Sequence, residues 1–168
     1  MMHTPPGGVC LSAFLVVRNA RGDVLFGRPR RHKAWPEKGC VPYWRLGSFV
    51  KENSWILPAS HLLMEEHPDR AAKRIARFWA HLPHAQPKLV TLDSSTMPTG
   101  RWTGRGTRRR RVNHWAIGYV YEVRSDAQPS PAPWWKEMRF FPVSELRSLK
   151  IGRAHLDLLK YLLNGGSG

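Results

Sequence analysis

Residues 9–17 form the first hydrophobic segment of the chain, and Ser12 is its only polar position. A short apolar run rich in β-branched and aromatic residues predicts a strand buried on both faces of a sheet. Turn-forming residues 19–23 follow, and residues 24–26 are apolar again, so a hairpin is predicted. Further strands are predicted at 41–44, 47–50, 55–57, 88–93, 112–123 and 138–141.

Apolar residues at helical spacing indicate one clear helix over residues 71–82. Pro68 suits its first turn, and Asp69 is favourable beside the positive end of the helix. Pro83 ends the helix because proline has no N–H to continue the hydrogen bonding. Shorter helices are predicted from Ser144 onward and over residues 154–163.

The segments between these elements indicate the domain organisation. Residues 1–8 are expected to form a flexible arm, and residues 94–111, with turn formers and almost no aliphatic side chains, a long loop. Residues 9–163 are expected to form a single domain, with a flexible tail over 164–168. Mixed strands with a few helices indicate either α+β or α/β/α layering.

Charge is the unusual property of the composition. The 168 residues include 27 Lys and Arg against 12 Asp and Glu, which gives a net charge of +15. Such an excess is typical of a protein with a polyanionic partner, namely RNA, DNA, a ribonucleoprotein or an anionic membrane surface. A solubility surface in an arginine-rich organism would give the same composition.

The expected cellular compartment follows from a search of the sequence for a membrane helix, a signal peptide and disulfide-forming cysteines. No apolar run approaches the roughly 20 residues that a membrane helix needs, so no membrane span is predicted. Segment 9–17 lacks the flanking residues of a signal peptide. Cys10 and Cys40 lie in apolar surroundings, where we expect free thiols rather than a disulfide. The protein is therefore expected to be cytoplasmic.

The order of elements resembles the Nudix hydrolase superfamily over residues 9–163. The similarity rests on an entry strand, two small residues in place of paired glycines, a glutamate and an arginine. In this sequence they are Trp55-Ile56-Leu57-Pro58, Ala59 and Ser60, Glu66, and Arg74. The segments 113–115 and 137–146 are also similar in type. The resemblance implies an α/β fold, a Nudix-like α/β/α sandwich with a mixed central sheet.

The positions that hold metal in this family have lost their carboxylates. A glutamate follows the box arginine in the family, and a Glu-Glu pair comes three residues later; here these positions are Ile75, Phe78 and Trp79. The late glycine of the box is His81. Mg²⁺ requires oxygen ligands, and Glu66 alone cannot build a multi-ligand site. We therefore expect no metal or cofactor, and a catalytically inactive binding protein.

The replacement residues give the predicted helix a bulky apolar face beside a slimmer alanine stripe. The bulky face consists of Ile75, Phe78, Trp79 and Leu82, and the stripe of Ala72, Ala76 and Ala80. Burying each large side chain stabilises by roughly 1.5–3 kcal/mol, so a solvated bulky face is disfavoured. Two alternatives follow: this face closes the former cleft as part of the core, or it docks a partner protein or a second copy.

Two basic clusters are candidates for a nucleic-acid interface. Guanidinium groups pair with phosphates, and Trp102 offers a ring on which a base can stack. The candidate contacts are Arg101, Trp102, Arg105, Arg108, Arg109, Arg110 and Arg111, with Arg28, Arg30, Arg31 and Lys33 as a second cluster. A solvated basic loop, or contact with an acidic protein or membrane surface, would use the same residues.

Three functions are therefore open. The first is an inactive Nudix-fold protein that binds RNA, DNA or a ribonucleoprotein through basic loops. The second is a nucleotide pyrophosphohydrolase whose Mg²⁺ is held by displaced carboxylates, and its available donors are Glu52, Glu65, Glu66, Glu122 and Glu137. The third is an assembly module that uses the aromatic helix face to bind a protein partner or to form a homodimer.

Overall fold

The computed structural model describes residues 8–29, 54–103, 110–128, 135–152 and 158–163, and gives the backbone alone for residues 97–103 and 110–112. In chain order its elements are β1 (Val9–Arg18), β2 (Val24–Pro29), β3 (Ala59–His61), α1 (Pro68–Trp79), β4 (Lys88–Thr103), β5 (Arg110–Arg124), β6 (Trp135–Phe141), a 3-10 turn (Val143–Glu145) and α2 (Leu159–Leu163). The strands predicted at 41–44 and 47–50 lie outside the described residues.

The strands form one mixed sheet in the order β4-β5-β1-β2-β6, and β3 pairs with β1. Strands β1 and β5 are parallel, in a register that runs from Val9 opposite Trp115 to Arg18 opposite Arg124. All the other pairings of named strands are antiparallel. The mixed central sheet expected from the sequence is confirmed.

Alternating side chains of β1 divide the core into two layers. Ala13, Leu15 and Val17 pack in the cluster that contains α1, whereas Val16 packs in the cluster that contains α2. Helices therefore cover both faces, which is the expected α/β/α sandwich. The prediction that β1 is buried along its whole length is wrong at its beginning, where Val9 is exposed.

The long loop predicted over 94–111 is also wrong, because β4 continues to Thr103 and β5 begins at Arg110. The segment contains few aliphatic residues, but its backbone pairs with β5, and this pairing satisfies the hydrogen bonds that a strand requires. The ladder is irregular between Pro98 and Trp102. A proline has no N–H to give to the ladder, which explains an irregularity at this place.

Helix α1 begins as predicted and ends earlier. The His67 Nδ1 accepts a hydrogen bond from the Asp69 N–H at 3.2 Å and caps the helix, and Pro68 occupies the first turn. The helix ends at Trp79. His81 has a φ of 57°, which turns the chain out of the helix before Leu82.

Candidate functional site

The loop between β3 and α1 is closed by an ion pair between Glu66 and Arg74. Arg74 Nε and Nη2 donate to the two carboxylate oxygens of Glu66 at 2.8 and 2.6 Å. The Leu63 N–H donates to the same carboxylate at 3.0 Å. Both side chains are largely buried. The Arg74 guanidinium holds the pKa of Glu66 below its ordinary value, so this carboxylate is charged at neutral pH.

Arg74 also connects the helix to the strand that precedes it. Its Nη1 donates to Ser60 Oγ at 3.3 Å, and its Nη2 donates to the carbonyl oxygen of His61 at 3.1 Å. Its fork-shaped guanidinium makes these contacts and the bidentate carboxylate contact together. The two retained residues of the box thus bond to each other and fasten α1 to β3.

The end of α1 also agrees with the resemblance to the Nudix box. His81 lies in the left-handed region of backbone conformation, which favours glycine and is uncommon for other residues. The resemblance to the Nudix box implies that His81 stands at the position of its late glycine. The Leu82 N–H then donates to the carbonyl oxygen of Ala76 at 2.8 Å. The backbone therefore turns where the family motif places its glycine, although the side chain differs.

Comparison with solved structures decides the fold. A MutT protein from Methanosarcina mazei Go1 superposes over all of both chains with a TM-score of 0.64 at 11% identity. A bifunctional NMN adenylyltransferase/ADP ribose pyrophosphatase from Francisella tularensis covers 99% of this chain with 43% of its own length, with a TM-score of 0.55 at 14% identity. The chain has the Nudix fold. No protein-family model and no curated protein matches it.

Two different environments surround Ile75, Phe78 and Trp79, the residues that the resemblance to the Nudix box aligns with its metal-binding carboxylates. Ile75 and Trp79 are buried in the same cluster as Ala72 and Ala76. Phe78 is 46% exposed, and its ring lies 5.2 Å from the Arg77 guanidinium. The sequence-based separation of a bulky face from an alanine stripe is therefore wrong, because one wide buried arc contains members of both.

Trp135 packs directly against Trp79. Its ring meets Trp79 edge to face, with centroids 5.5 Å apart and an interplanar angle of 69°. Its Nε1 donates to the Trp79 carbonyl oxygen at 2.9 Å. These two contacts join β6 to the end of α1. Ile75 and Trp79 are buried in the core, and the partly buried Leu82 packs against it.

Three of the five carboxylates proposed for a hydrolase are held by arginines, and a fourth, Glu65, is exposed. Arg18 Nε donates to Glu122 at 3.0 Å, and Arg28 Nη2 donates to Glu137 at 2.5 Å. Glu66 is held by Arg74, and Glu52 lies outside the described residues. Across the part of the chain that the structure describes, no three His, Cys, Asp or Glu side chains come together in a group that would hold a metal ion.

A polar tract that the sequence did not predict lies on the sheet face opposite α1. Ser12 on β1 is directly opposite His61 on β3, and Ser12 Oγ lies 3.0 Å from His61 Nδ1. Residues opposite each other in a ladder point to the same face. Cys10 therefore shares this face with Ala116 and Ser95. The sequence signal was the alternation of Cys10 and Ser12 along an otherwise apolar strand.

Burial controls the chemistry of this polar tract. Desolvation lowers the pKa of His61, so its imidazole is neutral at pH 7, and burial raises the pKa of the Cys10 thiol. His114 Nδ1 and Ser95 Oγ are buried and find no hydrogen-bond partner within the described residues. Within the tract, the His61 imidazole and the Cys10 thiol are therefore uncharged at neutral pH.

The first basic cluster lies at the end of the β4–β5 hairpin. Arg101 and Trp102 are in β4, Arg110 and Arg111 are in β5, and Trp102 is opposite Arg111 in the ladder. The remaining candidates of this cluster, Arg105, Arg108 and Arg109, lie outside the described residues.

Of the second basic cluster, the structure describes only Arg28. Arg28 pairs with Glu137 and lies 5.0 Å from the Trp55 ring. Arg28 therefore already has a carboxylate and an aromatic ring of this protein as partners. Arg30, Arg31 and Lys33 lie outside the described residues.

Proposed function

We propose that this Nudix-fold chain is a nucleic-acid-binding protein without hydrolytic activity. The observation that carries the proposal is a two-stranded ribbon formed by the ends of β4 and β5. Strand β1 begins opposite Trp115, so residues 110–114 have β4 as their only neighbour among the described strands. Such a ribbon extends roughly 15 Å beyond the rest of the sheet. Two-stranded ribbons of this kind fit the major groove of a duplex.

The ribbon carries the residue types that nucleic acids bind. Arg101, Arg110 and Arg111 supply guanidinium groups for phosphate contacts, and Trp102 supplies a ring for base stacking. The net charge of +15 adds a long-range attraction toward any polyanion. RNA, DNA and a ribonucleoprotein all present this phosphate chemistry.

The absence of hydrolysis is inferred from the core. Metal-assisted attack on a pyrophosphate needs oxygen ligands around an open position. Ile75 and Trp79 supply none, and both are packed inside the sandwich. Among the donors of the hydrolase alternative that the structure describes, Glu66, Glu122 and Glu137 each bond to an arginine, which leaves Glu65 as an exposed carboxylate.

We also propose that this nucleic-acid binding takes place in the cytoplasm. Neither of the helices in the described part of the chain is long and apolar enough to cross a membrane.

Fluorescence anisotropy at several salt concentrations tests the proposal. Labelled single-stranded RNA and duplex DNA are titrated with the parent and with the combined variant Arg101→Ser, Arg110→Ser, Arg111→Ser. If all three arginines contact phosphate, the log–log salt slope becomes shallower by about 2 on single strands and about 3 on duplex. A parent that binds neither probe at low salt would refute the proposal.

A matched variant separates the ribbon from overall charge. Arg70, Lys73 and Arg77 are exposed on α1, and replacing all three with Ser removes the same charge from another surface. We expect this variant to retain the parental slope to within about one unit. Equal losses in the two variants would show that net charge, and not the ribbon, determines binding.

A further inference from the structure

Strand β4 is an edge of the described sheet. It pairs with β5 on one side, and no described strand pairs with its other side. Near its beginning Leu89 is 51% exposed and Leu92 is 58% exposed. Edge strands with exposed apolar residues present free backbone groups to another strand, and proteins usually blunt such edges.

A bulge arranges the side chains at this edge. The register shifts between Leu89 and Thr91, so that Leu89 is opposite Tyr121 and Leu92 is opposite Tyr119. Both tyrosines pack in the cluster that contains α1, so both leucines point to the α1 face. Two residues three positions apart share a face because the bulge adds one residue between them.

The flanking charges lie on the other face. Lys88 is opposite Glu122, whose carboxylate accepts a hydrogen bond from Tyr161 of α2. Asp93 is opposite Gly118, and an added Cβ on Gly118 would contact Phe14 of the α2 layer. Lys88 and Asp93 therefore share the α2 face at the two ends of the segment.

The segment 88–93 is complementary to itself when two copies run antiparallel. Its sequence is Lys-Leu-Val-Thr-Leu-Asp, so Lys88 meets Asp93 of the second copy, and Leu89 meets Leu92 of the second copy. Opposite charges and apolar pairs directly across a ladder are both favourable. Each pair occurs twice about the two-fold axis, and each stays on its own face of the sheet.

We infer that this protein forms a homodimer by pairing β4 with β4 of a second copy, with residues 88–93 at the centre of a continuous sheet. The bulge favours a second copy as the partner. A matching strand must carry two apolar residues three positions apart, as Leu89 and Leu92 are, with a positive charge at one end and a negative charge at the other. The copy supplies that spacing by symmetry. The inference does not depend on nucleic-acid binding.

Sedimentation equilibrium of nuclease-treated protein tests the dimer through charge exchange. Lys88→Glu places one carboxylate opposite each Asp93 carboxylate of the dimer, and Asp93→Lys places one ammonium group opposite each Lys88 ammonium group. Each single variant should raise the dimer dissociation constant by about tenfold or more. In an equimolar mixture of the two variants, every contact pairs opposite charges again, and the dimer should return as a mixed species.

Apolar variants give a second, independent measurement. Leu92→Lys should abolish the dimer, whereas Phe78→Lys, at a similarly exposed site on α1, should leave the dissociation constant unchanged. Thermal unfolding of each variant confirms that it is folded. A parent that is monomeric at every concentration, or a mixture that stays as dissociated as its components, would overturn the inference.

Discussion

The Nε1 of Trp135 donates to the carbonyl oxygen of Trp79 at 2.9 Å, and the two indoles meet edge to face. One residue is in β6 and the other is in the last turn of α1, 56 positions earlier. The helix C-terminus normally leaves its last carbonyl groups without a partner, and here an indole N–H satisfies one of them. The contact lies in the buried cluster between α1 and the sheet, at a residue that the resemblance to the Nudix box aligns with a metal-binding carboxylate.

Trp79→Glu should destabilise the protein by about 3 kcal/mol or more, because it buries a carboxylate among apolar side chains and removes the ring contact with Trp135. Phe78→Glu is the matched control at the neighbouring position. Since Phe78 is 46% exposed, its loss should cost about 1 kcal/mol or less. Urea unfolding of the two variants measures both values, and equal losses would contradict the burial difference.

Glu66→Gln should cost about 3 kcal/mol at neutral pH, because it leaves the Arg74 cation buried without its counter-ion. Arg74 lowers the pKa of Glu66 in the folded state, so the ion pair stabilises fully above pH 4.5 and loses its effect as the pH falls through the folded pKa. The stability difference between parent and variant should therefore shrink at acid pH. A difference independent of pH would show that Glu66 acts through packing alone.

No metal-dependent hydrolysis of nucleoside diphosphate derivatives is expected. A phosphate-release assay with Mg²⁺ and with Mn²⁺ over a nucleotide panel measures this directly. Isothermal titration should show Mg²⁺ binding no tighter than about millimolar, the range that few oxygen ligands support. Robust turnover that disappears in folded Glu66→Gln would establish the hydrolase with displaced carboxylates instead.

Trp102→Ala should weaken binding of single-stranded RNA by about 1–3 kcal/mol if a base stacks on the ring. The salt slope should stay the same, because the indole releases no counterions. Anisotropy titrations at several salt concentrations separate this effect from that of the neighbouring arginines. A change of slope without loss of affinity at low salt would exclude stacking by Trp102.

The sequence by itself determined the features that depend on neighbours in the chain. Apolar runs located β1, β2 and β6, and Pro68 with Asp69 located the start of α1. The spacing of Glu66 and Arg74 set the register of the box, and the structure joins these two residues at 2.6 Å. Helix periodicity and capping act over a few residues, so a local pattern is sufficient to predict them.

Tertiary structure decided what depends on distant partners. Phe78 and Trp79 are adjacent and both aromatic, yet only Trp79 meets Trp135. The sequence predicted that Arg28 contacts phosphate. In the fold it instead pairs with Glu137, which is 109 positions away in the chain. Segment 94–103 became a strand because β5 pairs with it, not because of its own composition. Pairing across a sheet and burial between layers are set by the assembled elements, and their free energy comes from contacts that no local pattern records.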